Sequence, residues 1–150
     1  MGLTTDDWRL MADSFQLEIV TPDKLVVKDT AEEMQLPGKD GYLGILPGHA
    51  PLITELAIGQ MTYRNGGETH TFSVAWGFAE VLPDKVTVLA ELAERAEDID
   101  VQRAREAKER AENRLNSNDA EVDVPRAQAA LARANCRLQV AEGSPTSSAK

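Results

Sequence analysis

A change of composition at Glu91 divides this chain into two parts that cannot share one kind of secondary structure. Before it, Phe15, Leu17 and Ile19 alternate with Gln16 and Glu18, and Met34 and Leu36 alternate with Glu33 and Gln35, the period of a strand with one buried face. Further apolar runs at 25–27, 57–63, 69–74, 78–82 and 86–89 are separated by Thr21-Pro22-Asp23, Pro37-Gly38, Asn65-Gly66-Gly67 and Pro83-Asp84, all turn formers. Short runs so spaced specify an all-β sandwich or barrel. After Glu91, β-branched and aromatic residues all but vanish, and Ala, Glu, Arg and Leu take over, a composition that favours helix.

The expected organisation is therefore α+β: a loosely ordered extension over 1–14, a β-domain over 15–91, a helical part over 92–142 and a polar tail over 143–150. Residues 91–98 read as a linker or a short helical turn. Asp100 is a good N-cap for a helix reaching about Asn116, and Asp123 caps a second helix, with Pro125 tolerated in its first turn, that reaches about Glu142. The polar loop between them is short, so the two form an antiparallel hairpin. Val101, Ala104, Ala111 and Leu115 share one face of the first helix; Ala127, Ala134, Leu138 and Ala141 share one face of the second. A seam made mostly of alanine allows close approach but buries little area. It is compatible both with a hairpin that opens and with one fixed to the β-domain.

Arg103, Arg110 and Arg114 lie at spacings of seven and four, and Arg126, Arg133 and Arg137 repeat those spacings on the second helix. Each set forms a stripe. It suits a solvated face paired with Glu106, Glu109, Glu112 and Asp119, or an anion site in which guanidinium groups hold phosphate or carboxylate.

Several function classes are excluded by composition and charge. The net charge is −9, and the excess acid lies in residues 1–94, which carry 6 basic and 15 acidic groups. Such a β-domain offers no basic surface to a nucleic-acid backbone. With Cys136 as the single cysteine, no internal disulfide or thiolate metal site can form. No apolar run approaches the roughly 20 residues that cross a bilayer, so a soluble protein without direct membrane insertion is expected. Residues 1–14 contain three aspartates and suit neither a secretory signal nor a mitochondrial presequence; Trp8 and Met11 give them one apolar side to rest on the body. There is no nucleophile with an adjacent base, no metal-ligand cluster and no phosphate-binding glycine loop opening a helix, so no catalytic role is expected.

Residues 41–51, GYLGILPGHAP, set three glycines and two prolines around Tyr42, Leu43, Ile45 and Leu46, with His49 after the turn. By itself this is a strand, a tight turn and a fresh strand, with His49 readable as an inert hydrogen-bonded residue. The stretch closely resembles the GxLGIxPGHAPL segment of the epsilon subunit of F-type ATP synthases, called delta in mitochondria. The resemblance continues through VLPDKVTVLAE and IDVQRAREAKERAENRL into the second Ala-rich helix, covering residues 15–142. It implies a ten-stranded β-sandwich followed by a two-helix antiparallel hairpin, a non-catalytic rotor subunit of the central stalk. It also implies attachment of the sandwich to the gamma subunit and the c-ring, and helices that switch between a folded hairpin and an extended form. The extended form contacts the alpha and beta subunits and blocks ATP hydrolysis. No cofactor is required, and ATP enters as a regulatory ligand. The implied location is peripheral, on the cytoplasmic face of a bacterial plasma membrane.

Residue by residue, the family's ATP motif matches Ile99, Asp100, Arg103 and Ala104. Glu94 stands at the upstream glutamate, and Arg133 and Arg137 stand at the arginine pair of the second helix. Tyr42, Leu43 and His49 are the implied rotor contacts. Many members carry an acid where this chain has Tyr42, so aromatic packing replaces a polar contact there, and the N-terminal extension has no counterpart. The alternative reading, from a different class, is a free-standing nucleotide-sensing module.

Overall fold

The computed structural model describes residues 13–143. The expected packing of Trp8 and Met11, and most of the polar tail, lie outside the described residues. Eight strands come first: β1 (Phe15–Val20), β2 (Leu25–Ala31), β3 (Glu33–Gly38), β4 (Gly41–Ile45), β5 (Leu52–Glu55), β6 (Gly59–Asn65), β7 (Glu68–Val81) and β8 (Lys85–Arg95). A 3-10 turn over Ala96–Asp98 leads to α1 (Val101–Asn116) and α2 (Val124–Ala141).

The family resemblance implies ten strands where the structure has eight, and the difference has a physical cause in β7 and β8. The first half of β7, up to Val74, pairs with β6, and its last four residues pair with β5. Likewise β8 begins beside β1, in parallel, and ends beside the first half of β7. Each strand therefore serves both layers of the sandwich. One layer reads β2-β1-β8-β7-β5 and the other β4-β3-β6-β7-β8. Splitting both long strands at the bend recovers ten segments. The same continuity carries β8 past Glu91, where the sequence suggests a linker.

The bend sits at Trp76 and Gly77, which have φ of 58° and 114°. Two successive residues with positive φ turn the strand and reverse which face its side chains occupy: Phe72 and Val74 point into the core before the bend, Ala79 and Val81 after it. Neighbouring backbone holds the bend in place, since the Leu56 N–H donates to the Gly77 carbonyl at 2.8 Å and the Trp76 N–H to the Ala57 carbonyl at 3.4 Å. Between the layers, Leu17, Ile19, Val27, Val86 and Val88 meet Met34, Leu36, Met61, Tyr63 and Phe72 in one continuous core.

A polar tie closes one end of the sandwich. Asp29 on β2 accepts hydrogen bonds from the Tyr63 hydroxyl at 2.8 Å and from Asn65 Nδ2 at 3.0 Å, both on β6. Burial pushes the Asp29 carboxyl up, but the bonds from Thr30 N–H, Tyr63 and Asn65 outweigh it and hold the group below its ordinary value.

Two outcomes are expected. A methyl built on Gly77 overlaps the Leu89 carbonyl, whereas one on Gly44 meets nothing within 4 Å. Gly77→Ala should cost about 3 kcal/mol or more in urea unfolding, and Gly44→Ala should cost little. Because the folded Asp29 pKa is depressed, its contribution is complete above the unfolded value of about 3.9 and disappears as pH falls through the folded value. Urea midpoints followed from neutral pH into acid should therefore fall less steeply below about pH 4 in Asp29→Asn than in the wild-type protein.

Candidate functional site: an arginine-lined cavity under the hairpin

The ladder between β7 and β8 sets the floor of this site. Ser73 pairs with Glu94 and Ala75 with Leu92, so these four share the outer face of one layer. Helix α2 covers that face. Ser73 and Ala75 are buried beneath it, the Ser73 hydroxyl donates to Cys136 Sγ at 3.4 Å, and Cys136 packs with Ile99 and Val140 in a small second core. Burial, more than the Ser73 hydroxyl and the Val74 backbone can offset, pushes the Cys136 thiol up, which keeps it protonated and inert. Helix α1 rests on α2 through the predicted seam, with Ala104 and Ala111 buried against the side of α2 that carries Ala127 and Ala134.

Between the helices and the floor lies a cavity of about 450 Å³ lined by Leu92, Glu94, Arg103, Arg110, Arg114, Arg133 and Arg137, with Ala107, Ala111, Ala130 and Ala134. Five of the six stripe arginines thus converge on one place, while Arg126 lies instead with Arg114 in a second hollow beside the loop between the helices. Arg137 is paired: Nη2 donates to Glu94 Oε2 at 3.2 Å, and Nε lies 2.7 Å from Oε1 in a contact bent away from the hydrogen-bond line. Among the described residues, Arg103, Arg110, Arg114 and Arg133 have no carboxylate within ion-pair distance, so the solvated-face partners Glu106, Glu109, Glu112 and Asp119 are not engaged. Five guanidiniums facing one carboxylate leave a strongly positive cavity, suited to a multiply charged phosphate or carboxylate ligand. No cluster of His, Cys, Asp or Glu among the described residues could hold a metal.

Of the residues singled out in the sequence, Glu94, Arg103, Arg133 and Arg137 line the cavity. Asp100 does not; its Oδ1 accepts from the Arg103 N–H at 3.1 Å as the N-cap of α1, so it orders the turn that carries Arg103. Arg110 and Arg114 were legible as members of the stripe, through their spacing, but not as lining residues, because the floor strand that selects them is non-local. Arg133 also lies over the Trp76 ring, 5.0 Å from its centroid, a contact that no sequence signal foretells.

The implied rotor contacts lie apart from the cavity, on and after β4. Tyr42 is 55 % exposed, yet its hydroxyl accepts from the Gln60 N–H at 3.0 Å, which fixes the ring across Gly59. Leu43 is turned the other way and packs against the core. His49 Nδ1 donates to the Ala50 carbonyl at 2.7 Å, the inert arrangement the sequence also allows. Leu46, 58 % exposed, was not singled out but displays more apolar surface than Leu43. On the outer face of the other layer, Phe78 pairs with Leu89, Leu89 with Val20, and Val20 with Leu25, an exposed apolar row beside Ile53.

A two-layer sandwich bearing a docked helical hairpin defines a small class of proteins, and the chain belongs to the ATP synthase delta/epsilon family. Residues 14–96 match the family's beta-sandwich domain and residues 97–142 its long alpha-helix domain. The ATP synthase epsilon chain of Koribacter versatilis (strain Ellin345) is 71% identical over 111 residues, 74% of this chain and 78% of that one. The ATP synthase epsilon chain of Nitratidesulfovibrio vulgaris (strain DP4) is 55% identical over 130 residues, 87% of this chain and 97% of that one. In fold, the chain resembles a subunit in the cryo-EM structure of the Euglena gracilis mitochondrial ATP synthase, comprising OSCP, F1 and c-ring. That match has a TM-score of 0.73 at 23% identity and covers 82% of this chain and 78% of that one.

The Glu94–Arg137 pair should couple floor and helix. In a double-mutant cycle with Glu94→Gln and Arg137→Gln, unfolding should report a coupling of about 1 kcal/mol, since both side chains are only partly buried and solvent screens them.

Proposed function

We propose that this protein is a non-catalytic central-stalk subunit of an F-type ATP synthase, joining the gamma subunit to the c-ring, coupling proton flow to ATP synthesis and restraining ATP hydrolysis through its helices. The observation that carries the reading is the 55% identity to an ATP synthase epsilon chain over 87% of this chain and 97% of that one. The sandwich is the attachment domain. Its exposed row of Leu25, Phe78 and Leu89, continued by Ile53 at 70 % exposure, is apolar surface of the kind that protein partners cover. Tyr42 and Leu46 supply a second such surface near the glycine-rich turn.

The hairpin is the regulatory part. Folded, it holds ATP in the arginine cavity, with Arg103, Arg110, Arg114, Arg133 and Arg137 around the phosphates, Glu94 orienting Arg137 and Asp100 ordering the first turn of α1. Extended, it offers the same arginines to acidic surfaces of the alpha and beta subunits. ATP, when plentiful, favours the folded form and relieves inhibition. The protein then works at the cytoplasmic face of the membrane, held there by the c-ring and not by insertion.

The test uses the complete complex. Removal of residues 101–150 should leave a sandwich that still co-purifies with gamma and the c-ring while ATP hydrolysis rises. Calorimetry on the full-length protein should show ATP binding that Arg103→Ala or Arg133→Ala weakens about tenfold or more. Unchanged hydrolysis after truncation would reduce the hairpin to a brace for the sandwich, and failure to co-purify with gamma would favour the free-standing nucleotide-sensing module.

A further inference from the structure

Trp76 is the only non-glycine residue among the described ones with positive φ, at 58°, and it is one of the bulkiest side chains the chain could place there. A large L-residue in this region is strained, and glycine would be relaxed. Trp76 is not a core residue and has no place in the lining of the arginine cavity. What its ring does is lie under the Arg133 guanidinium, 5.0 Å from centroid to Cζ. Arg133 in turn lines the cavity and has no carboxylate partner among the described residues. A guanidinium stacks through its face and donates through its edge. An aromatic platform can therefore fix the group without consuming the N–H donors that an anion needs, which a carboxylate partner would do.

We propose that Trp76 is a positioning residue for the arginine cavity: its ring holds the face of Arg133, so that α2 is seated over the β7 bend with the guanidinium edge ready for a phosphate-chain ligand. This rests on reading the cavity as an anion site. The two cavity arginines on α2 are thus held by different devices, Arg137 by the Glu94 carboxylate and Arg133 by a neutral ring, and only the second leaves the charge of its arginine uncompensated. A side chain at a strained position whose contact serves a neighbouring site is the pattern expected where strain is retained for function.

The test compares Trp76→Leu, Trp76→Gly and Trp76→Tyr in the full-length protein, reading amide hydrogen exchange of α2 and ATP affinity by calorimetry. Leucine keeps bulk and strain but loses the ring; glycine loses both ring and strain, so it folds even if the leucine variant does not; tyrosine keeps a ring. Loss of the ring should speed α2 exchange about two- to five-fold and weaken ATP binding by a similar factor, and tyrosine should restore most of both. Adding Arg133→Gln to Trp76→Leu should speed exchange no further than Arg133→Gln alone. Wild-type exchange and affinity in both ringless variants would overturn the proposal. So would faster exchange at unchanged affinity, which describes a clasp that positions nothing, or a tyrosine variant as impaired as leucine. If the wild-type protein binds no ATP, the nucleotide reading falls on its own, and the exchange ranking of the three variants decides whether the ring seats Arg133.

Discussion

The close passage of β7 over β8 at Gly77 is the constraint on which the rest of the molecule depends. Here the Leu89 carbonyl and Ala90 Cα come so near that no Cβ fits. Because both strands change layers at this point, one continuous ladder joins the two halves of the core, and no separate crossover is needed. The bend also determines what lies outside. It reverses the facing of both strands, so Ser73 and Ala75 pair with Glu94 and Leu92 on a surface that α2 can cover, while Phe78 and Leu89 emerge on the opposite side. The cavity floor and the exposed apolar row are two results of one reversal.

Local signals in the sequence located most of the elements. Alternation over Phe15, Leu17 and Ile19, the Asn65-Gly66-Gly67 turn and the Asp100 and Asp123 caps each act within a few residues, and each appears where its chemistry requires. The bend was not legible, because alternation merely lapses around Trp76 and Gly77, and a lapse reads equally well as a loop between two strands. Only the pairing of distant segments distinguishes a long bent strand from two short ones. The site shows the same division. Spacing placed the arginines on two stripes, a local property of helices. That the stripes face each other over Glu94, and that Asp100 serves as a cap while Arg110 and Arg114 join the lining, depends on how the helices dock on a strand some way off in sequence. For Trp76 nothing in its neighbourhood announces a partner 57 positions along the chain, on α2.

The two helices are held unequally. Helix α2 is fastened by apolar packing through Cys136 and Val140, by the Arg137–Glu94 pair and by the cation–π contact of Arg133 with Trp76. Helix α1 packs chiefly on α2, through small side chains, and is tethered to the sandwich by the turn at Ala96–Asp98 with Ile99 buried beside it. Arg95, just before that turn, is fixed by a bond from Nη2 to the Val26 carbonyl at 3.0 Å and by the Phe72 ring beneath it. These contacts fasten the chain to the sandwich up to Arg95, so an opening of the hairpin of the kind proposed would begin beyond it, with α1.

Charge and packing oppose each other at the seam. The four fully buried seam alanines, Ala104, Ala111, Ala127 and Ala134, contribute on the order of 3 kcal/mol at about 0.8 kcal/mol per methyl. Against this, closing the hairpin brings three guanidiniums of α1 toward two of α2 over a floor that supplies one carboxylate. Their mutual repulsion is present only in the closed form and is reduced by salt. An anion bound among them removes that repulsion and adds its own attraction. At a hundred times its dissociation constant, a ligand specific for the closed form stabilises it by about 2.7 kcal/mol, close to the whole seam. A leucine seam would add several kcal/mol and leave such a ligand little influence. On the proposed reading, alanines at the contact, with arginines beside it that have no carboxylate partner among the described residues, would let occupancy of the cavity select between a closed and an open hairpin.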